Sequence, residues 1–202
     1  MRNATGEWRT GATFLHHESV CADGEYCEEP GLNALIDLPE SLKLTPARDT
    51  DQASLQALFR SARPHLEQVD LPPELALTLV QQQYRLQQVH YRERWPQHQV
   101  WLVERLHKVI GKMAIDESSS AIRLIDLVLF PEHRGQGVGA TLIKALQAAA
   151  QAKNLPIELS VDRQNPRARA LYLSLGFYTS RYSETQEDMK WHAGKRSPAT
   201  SV

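Results

Sequence analysis

The sequence predicts an α/β fold in which a mixed, mostly antiparallel sheet carries helices on both faces. Strand-like apolar runs and helical segments follow one another in the order β-α-α-β-β-β-α-β-α-β. The front half has closely spaced strands that suit hairpins, and the back half has strand–helix–strand crossovers. One domain can hold this pattern, because the chain has 202 residues and domains cluster at roughly 100–200 residues.

The individual elements follow from capping residues, prolines and apolar periodicity. Asp49 or Thr50 can cap the first long helix, and Pro72 and Pro73 suit the start of the second. The Ala- and Leu-rich helix ends ahead of Pro156, because the residue before proline disfavours helical geometry. The predicted strands lie at 42–46, 100–103, 109–115, 122–130, 157–161 and 187–191, and the predicted helices at 49–62, 72–91, 135–154 and 166–175.

Composition divides the chain into three parts. Residues 1–40 contain scattered glycines and acids without a sustained period, so we expect an irregular N-terminal extension. Residues 41–192 hold nearly all of the periodic apolar signal and form the predicted domain, and residues 193–202 form a disordered tail. The extension either packs on the sheet or crosses to a second subunit, so a homodimer is one assembly that the sequence allows.

The charge balance and the apolar pattern disfavour several classes of protein. Lys and Arg number 23 against 24 Asp and Glu, for a formal net charge of -1, so no basic excess is present for binding nucleic acid. The longest apolar stretch, 124–130, contains Asp126 and is too short to span a bilayer. No apolar leader follows Met1. We therefore expect a cytoplasmic protein without nucleic-acid or membrane partners.

The cysteines and paired histidines near the N-terminus do not match a metal motif. Two cysteines are too few for a disulfide scaffold. His16, His17, Cys21 and Cys27 lack the closely spaced cysteine pairs that are typical of zinc sites. We therefore expect no metal.

The most informative segment is a glycine-rich turn between a strand and a helix. The strand ends at Phe130, and glycines stand at 135, 137 and 139 where the next helix begins. Glycine lets the backbone adopt positive φ and approach a ligand closely. The helix start leaves unpaired N–H groups and a positive dipole end, which suit a pyrophosphate, and Arg134 adds a cation.

Other readings of this turn fit the spacing less well. The dinucleotide-binding fingerprint needs its third glycine one position after Gly139, so an oxidoreductase of that class is disfavoured. A Walker loop needs a Gly-Lys-Ser/Thr sequence that is absent from this segment. A glycine-rich helix entry that binds nothing stays compatible with the turn taken alone.

Three short motifs resemble the GNAT family of N-acetyltransferases. Arg134 and the glycines after it match the family's Q/R-x-x-G-x-G/A signature. Residues 165–172 match its second motif, N-x-x-A-x-x-x-Y, and Leu-Gly-Phe follows at 175–177. The resemblance covers about residues 42–192 and implies the acyl-CoA N-acyltransferase fold of that family.

The resemblance implies an enzyme that moves an acetyl group from acetyl-CoA to a primary amine of a small molecule or peptide by direct attack. Backbone groups of the strand would take the pantetheine amide and the thioester carbonyl, and amides of the turn would hold the pyrophosphate. Asn165 would bond the pantetheine arm. The implied cofactor-binding residues are Leu127, Val128, Leu129, Arg134, Gly135, Gln136, Gly137, Val138, Gly139, Ala140, Asn165 and Tyr172.

Tyr172 is the candidate acid. It follows Asn165 by two helical turns, so both side chains project from one face. A phenol with a reference pKa of about 10 can donate a proton to a departing thiolate at neutral pH. The alternative is that Tyr172 only packs in the core.

Asp126 is the candidate base, because several family members use a glutamate at the position of Ser160, and serine cannot take that role. Asp126 interrupts an apolar strand, where burial would favour proton uptake. Asp126 could instead pair with a neighbouring arginine or face water. A water chain to Asp126, Glu158 or Asp162 is equally open.

The acceptor is expected to bind near residues 62–66 and the helix that follows them. Aromatic and amide groups there suit a small polar amine, and they suit a solvated helix face equally well. The candidates on that helix are Gln83, Tyr84, Arg85, His90 and Tyr91. The alternative function is a catalytically silent acyl-CoA-binding module of the same fold, which Ser160 favours and the Asn165/Tyr172 pair disfavours.

Overall fold

A seven-stranded sheet forms the centre of the computed structural model, which describes residues 18–20, 26–28, 32–66 and 72–194. The strands are β1 (Glu18–Val20), β2 (Tyr26–Glu28), β3 (Leu42–Pro46), β4 (Gln99–Arg105), β5 (Lys108–Glu117), β6 (Ile122–Leu129), β7 (Ile157–Asp162), β8 (Tyr178–Tyr182) and β9 (Gln186–Trp191). The α-helices are α1 (Leu32–Leu35), α2 (Gln52–Ser61), α3 (Pro73–Arg94), α4 (Val138–Ala152) and α5 (Pro166–Ser174).

The strand order of the sheet is β3-β4-β5-β6-β7-β9-β8. Neighbouring strands are antiparallel except for β6 and β7, which α4 connects as a parallel crossover. β1 and β2 form a separate two-stranded ribbon. This arrangement confirms the mixed, mostly antiparallel sheet that the sequence predicts.

Helices cover both faces of the sheet, as predicted. Along β4, Trp101 and Val103 pack into the larger core with α1 and α4, whereas Leu102 packs with α2 and α3. Successive side chains of a strand point to opposite faces, so the two cores lie on opposite sides of the sheet. Tyr172 on α5 packs against the larger core, so α5 lies on the same side as α4.

A β-bulge on β6 decides which face Asp126 occupies. The register between β5 and β6 shifts so that Ile125 has no partner. Leu124 and Leu127 consequently both pack against the larger core, although they are three positions apart. Asp126 therefore faces the α2/α3 side, whereas unbroken alternation from Leu124 would have placed it in the larger core.

The seven-stranded sheet contains one strand that the sequence analysis missed. β8 has the polar sequence Tyr-Thr-Ser-Arg-Tyr and forms the edge of the sheet. Its register against β9 shifts at Ser180, which breaks the alternation of inward and outward side chains. Edge position and bulge together remove the apolar period by which a strand is recognised.

The packed region begins earlier than the predicted boundary at residue 41. Leu32 on α1 is 3% exposed and belongs to the larger core, and Leu35, Ile36 and Leu38 pack against it. A helix of only four residues is too short to show a period in the sequence. Most of the predicted extension, including residues 1–17, and most of the predicted tail, residues 195–202, lie outside the described residues.

Replacing Leu32 with alanine should lower the free energy of unfolding by about 2 kcal/mol or more, because a buried leucine leaves a cavity behind. Urea unfolding measures the change. Leu86→Ala is the matched control, since Leu86 is 61% exposed on α3, and it should change stability by less than about 0.5 kcal/mol. Equal effects of the two substitutions would mean that α1 does not pack on the domain.

Candidate functional site

A gap opens between β6 and β7 where their pairing ends. The parallel ladder joins three residue pairs and stops at Leu124 and Leu159. Beyond this point β6 continues to Leu129 along β5, and β7 continues to Asp162 along β9. The edges of β6 and β7 that face each other there have no strand partner, so their backbone groups can bind a ligand, except for the carbonyl of Leu129, which accepts from Arg134.

The backbone groups of Leu127 and Leu129 face this gap. The N–H of Phe130 donates to a carbonyl of β5 at 2.9 Å, and backbone direction alternates along a strand. Val128 therefore directs its N–H and C=O toward β5, and its side chain is 7% exposed. This differs from the expectation that Val128 lines the gap with backbone groups, because the strand period allows only every second residue to do so.

The glycine turn forms an open concavity at the start of α4. Gly135 and Gly137 have φ of 78° and 80°, a left-handed conformation that favours glycine. A Cβ at Gly137 would meet no atom within 4 Å. The first helical hydrogen bond runs from the N–H of Thr141 to the carbonyl of Gly137. Within the described residues, the N–H groups of 138–140 have no acceptor, so they can bind an anion.

Two arginines lie at this turn. Arg134 donates from Nε to the carbonyl of Leu129 at 2.7 Å and from Nη2 to the carbonyl of Ser61 at 3.1 Å, so its cation is held in place as expected. Arg167 on α5 reaches the turn as well, since a Cβ built on Gly135 would lie 2.9 Å from its guanidinium. The sequence analysis missed Arg167, although it lies inside the motif that begins at Asn165.

The side chains of the turn mostly support the fold. Gln136 accepts from Arg105 at 3.1 Å and donates to the carbonyl of Glu132 at 2.6 Å. Val138 is 5% exposed and packs in the larger core. Any contact of these two residues with a ligand would therefore come from their backbone N–H groups.

Asn165 and Tyr172 lie at the start of α5 and two turns further along it, and Tyr172 packs against the larger core. The Asn165 side chain caps α5 by accepting from the N–H of Ala168 at 3.0 Å. The half-buried Tyr172 ring packs on Phe177, with ring centroids 5.5 Å apart. Burial, and secondly the negative charge of Asp126, raise the pKa of Tyr172 to about 12. The Tyr172 hydroxyl therefore keeps its proton at neutral pH.

Asp126 pairs with a buried lysine. Lys112 Nζ lies 2.9 Å from Asp126 Oδ2, and the Lys112 side chain is only 3% exposed. The sequence left open that Asp126 pairs with an arginine or faces water, and the structure pairs it with a lysine instead. A lysine within the apolar run of β5 was the signal that could have identified Lys112.

Tyr91 on α3 contacts the same carboxylate. Its hydroxyl hydrogen bonds with Asp126, and burial, followed by the charge of Asp126, raises the pKa of Tyr91 well above its ordinary value. The Tyr91 ring also packs on Trp95 and His98, with centroids 5.8 and 6.0 Å away. An aromatic wall from the end of α3 thus stands beside Asp126.

The other acceptor candidates divide into core and surface residues. Tyr84 is 5% exposed, packs edge-on against Phe59 and donates its hydroxyl hydrogen bond to Gln52. It therefore belongs to the smaller core. The side chains of Gln83, Arg85 and His90 are exposed on α3.

The remaining acids near the gap are already hydrogen-bonded or paired. Glu158 lies 2.7 Å from Lys190 Nζ and 3.9 Å from Arg123 Nη1. Asp162 accepts from the N–H of Gln164 at 2.8 Å at the exposed end of β7. Ser160 accepts from Arg123 Nη2 at 2.5 Å and donates to Asp188.

A family model described as the acetyltransferase (GNAT) family matches residues 64–177, which is more than half of the chain. The chain belongs to the GNAT acetyltransferase family. The match extends from the end of α2 to the start of β8, so it includes the gap, the glycine turn and α5 of this GNAT domain. The resemblance that the motifs carry is thereby confirmed.

Solved structures share the GNAT fold at low sequence identity. PaiA N-acetyltransferase from Thermoplasma acidophilum, in complex with coenzyme A, is 18% identical, with a TM-score of 0.57 over 75% of this chain and 99% of that chain. An acetyltransferase from Thermus thermophilus is 19% identical, with a TM-score of 0.56 over 75% and 97%. Spermidine/spermine N-acetyltransferase SpeG from Vibrio cholerae is 21% identical, with a TM-score of 0.52 over 76% and 95%.

Within the described part of this GNAT chain, no helix is both long and apolar enough to cross a bilayer. No group of three His, Cys, Asp or Glu side chains there is placed to hold a metal ion. His16, His17 and Cys21 lie outside the described residues, and of Cys27 only the backbone is described.

Replacing Lys112 with methionine should lower the free energy of unfolding by about 3 kcal/mol, because Asp126 then keeps a largely buried charge without its cation. Chemical denaturation measures the loss. The double substitution Lys112→Met/Asp126→Leu removes both charges and should recover most of the stability. Lys144→Met, at an exposed position of α4, should have little effect. A stable Lys112→Met protein would contradict the ion pair.

Proposed function

We propose that this protein is an acetyl-CoA-dependent N-acetyltransferase that acts on a primary amine of a small molecule or peptide. The observation that carries the proposal is the gap between β6 and β7, where β6 leads into a glycine turn and a helix start with unpaired N–H groups. A thioester bound in the gap would place its acyl group between the edges of β6 and β7, where an amine could reach it. A cytoplasmic location is part of this proposal.

The free groups of the site fit coenzyme A. The amides of 135–140 would hold the pyrophosphate, with the guanidinium groups of Arg134 and Arg167 beside it. The N–H and carbonyl of Leu127 and the N–H of Leu129 would pair with the pantetheine amides as a missing strand would, since the Leu129 carbonyl already accepts from Arg134. The side-chain nitrogen of Asn165 is left for the pantetheine arm, since its oxygen caps α5. Acetyl-CoA supplies the activated thioester when bound.

Tyr172 acts as the acid in this proposal. The amine nitrogen forms a bond to the acyl carbon while the carbon–sulfur bond breaks, and the sulfur needs a proton as its charge develops. A tyrosine with a raised pKa holds that proton at neutral pH and donates a hydrogen bond to the sulfur. Because Tyr172 packs on the α4 side of the sheet, the α2/α3 side is left for the amine.

Asp126 takes up the amine proton in this proposal, either directly or through bound water. Its position on the α2/α3 face next to the gap places it on the side from which the amine arrives. Lys112 holds the carboxylate in place through the ion pair at 2.9 Å. Tyr91 fixes the orientation of the carboxylate by its hydrogen bond.

A catalytically silent acyl-CoA-binding module is the second candidate. Ser160 and the pairing of Asp126 with Lys112 both favour it, because neither leaves an unpaired carboxylate at the gap. Release of free thiol from acetyl-CoA in the presence of a panel of primary amines separates the two functions. Only an enzyme produces thiol in proportion to acetylated amine, which mass spectrometry detects.

Replacing Gly137 with valine should abolish the rise in melting temperature that acetyl-CoA causes. A ligand at 100 times its Kd stabilises a protein by about 2.7 kcal/mol. A β-branched side chain at φ of 80° strains the turn and projects into the space that the pyrophosphate would occupy. Differential scanning fluorimetry with and without acetyl-CoA measures the shift.

Gly194→Val is the matched control for this experiment. Gly194 has φ of 78°, and a Cβ there would also meet no atom within 4 Å, but it lies after β9 and outside the turn. The control variant should keep the full shift with acetyl-CoA. If Gly137→Val also keeps it, the cofactor does not bind at the glycine turn.

Replacing Tyr172 with phenylalanine should lower kcat by about 10²-fold while acetyl-CoA binding changes little, because only the proton donor is lost. The ring contact with Phe177 is retained. The loss should be equal in kcat and kcat/KM, since the hydrogen bond strengthens as charge develops on sulfur. Steady-state kinetics and a single-turnover measurement test this, the second because slow product release would hide the effect.

Tyr182→Phe serves as the control for the loss of a hydroxyl. Tyr182 is 63% exposed on β8, so its substitution should leave kcat unchanged. A Tyr172→Phe enzyme with native single-turnover rates would remove Tyr172 from the catalytic residues and leave it as a packing residue.

A further inference from the structure

A charged cleft of about 330 Å³ lies on the sheet formed by β6, β7, β9 and β8. It opens on the face opposite the larger core, because Met189 packs in that core and its neighbours Asp188 and Lys190 point the other way. The cleft is therefore on the same side of the sheet as Asp126. Three cations and two carboxylates line it: Arg123, Arg181, Lys190, Glu158 and Asp188.

The cleft adjoins the gap at the level where the acyl group would lie. Ser160 is the first residue of β7 beyond the last pair with β6. Asp188 stands directly opposite Ser160 on β9, and Arg181 stands directly opposite Asp188 on β8. Ser160 therefore lies between the cleft and the gap, and a molecule bound in the cleft beside Asp188 would lie next to the gap.

Much of the charge in the cleft is already neutralised. Glu158 is paired with Lys190 at 2.7 Å and lies 3.9 Å from Arg123. Arg123 also donates to Ser160, which leaves the Ser160 proton for Asp188 Oδ1. Within the described residues, the second oxygen of Asp188 has no hydrogen bond and the guanidinium of Arg181 has neither a hydrogen bond nor an ion pair.

The bulge at Ser180 brings these two free groups together. Thr179 pairs with Met189 and therefore faces the core side, and regular alternation would place Arg181 on that side too. The register shift at Ser180 instead places Arg181 opposite Asp188, on the cleft side. Side chains of directly opposed residues start about 5 Å apart, which suits the two ends of one small molecule.

We propose that the cleft binds the acetyl acceptor as a zwitterion, with its ammonium on Asp188 and its carboxylate on Arg181. The acceptor is then a small amino acid, and its amine lies at the end of the cleft nearest the gap. This inference rests on the proposed function. A polyamine is disfavoured, because the lining carries one more cation than carboxylates and offers only one free carboxylate.

The test compares three classes of amine with the same enzyme. Glycine, β-alanine and γ-aminobutyrate represent zwitterions of increasing length, propylamine represents a neutral-tailed monoamine, and spermidine represents a polyamine. At least one amino acid should have a kcat/KM about tenfold or more above those of propylamine and spermidine, the usual effect of a charge-assisted hydrogen bond. Higher kcat/KM for spermidine or propylamine overturns the proposal.

Two substitutions assign the ends of the molecule. Arg181→Gln should lower kcat/KM for the preferred amino acid about tenfold or more and leave propylamine unchanged. Asp188→Asn should lower kcat/KM for both. Arg92→Gln, at an exposed position of α3 outside the cleft, should change neither. An Arg181→Gln enzyme that keeps its preference for amino acids contradicts the proposed contact.

Calorimetric titration keeps this inference separate from the proposed function. The preferred amino acid should bind the wild-type protein in the presence of coenzyme A, and Arg181→Gln should weaken that binding about tenfold. Binding with no acetyl transfer to any amine would overturn the proposed function alone. Acetyl transfer that shows no dependence on Arg181 would overturn this inference alone.

Discussion

The short ladder between β6 and β7 determines which backbone groups of the sheet are left without a strand partner and can bind a ligand. Three residue pairs hold the two halves of the sheet together, and the ladder stops at Leu124 and Leu159. A longer ladder would satisfy the backbone of Leu127 and Leu129 and close the gap. Arg134 bonds the carbonyl of Leu129 and the end of α2 instead, so the free end of β6 stays anchored without a strand partner.

Two irregularities in the strands place charge around this gap. The unpaired residue Ile125 turns Asp126 out of the larger core and toward Lys112, and the shift at Ser180 turns Arg181 toward Asp188. Leu124 and Leu127 on either side of Ile125 still pack in the larger core, and Met189 next to Asp188 does so as well. A bulge can therefore turn a charged side chain toward the site while the core-facing residues of the sheet keep their packing.

The sequence predicts six of the seven strands of the main sheet, the glycine turn and α5, because each has a strong local signal. The start of α4 at Gly137 and the cap at Asn165 need only nearby residues to be recognised. Lys112 and Arg167 escaped prediction because their importance depends on residues distant in sequence, Asp126 and Gly135. β8 escaped because an edge strand with a bulge carries no apolar period. Val128 was misplaced because backbone direction depends on the β5 register.

The bulge at Ser180 also has a consequence for how such a domain can diverge. Loss of the single codon for residue 181 would remove the register shift, place Ser180 opposite Asp188 in the position that Arg181 now occupies, and keep Tyr182 opposite Glu187. Met189 and the rest of the larger core belong to other strands and would keep their partners. Lineages of this fold could therefore exchange the charge presented by the edge strand in one genetic step, without a compensating change in the interior.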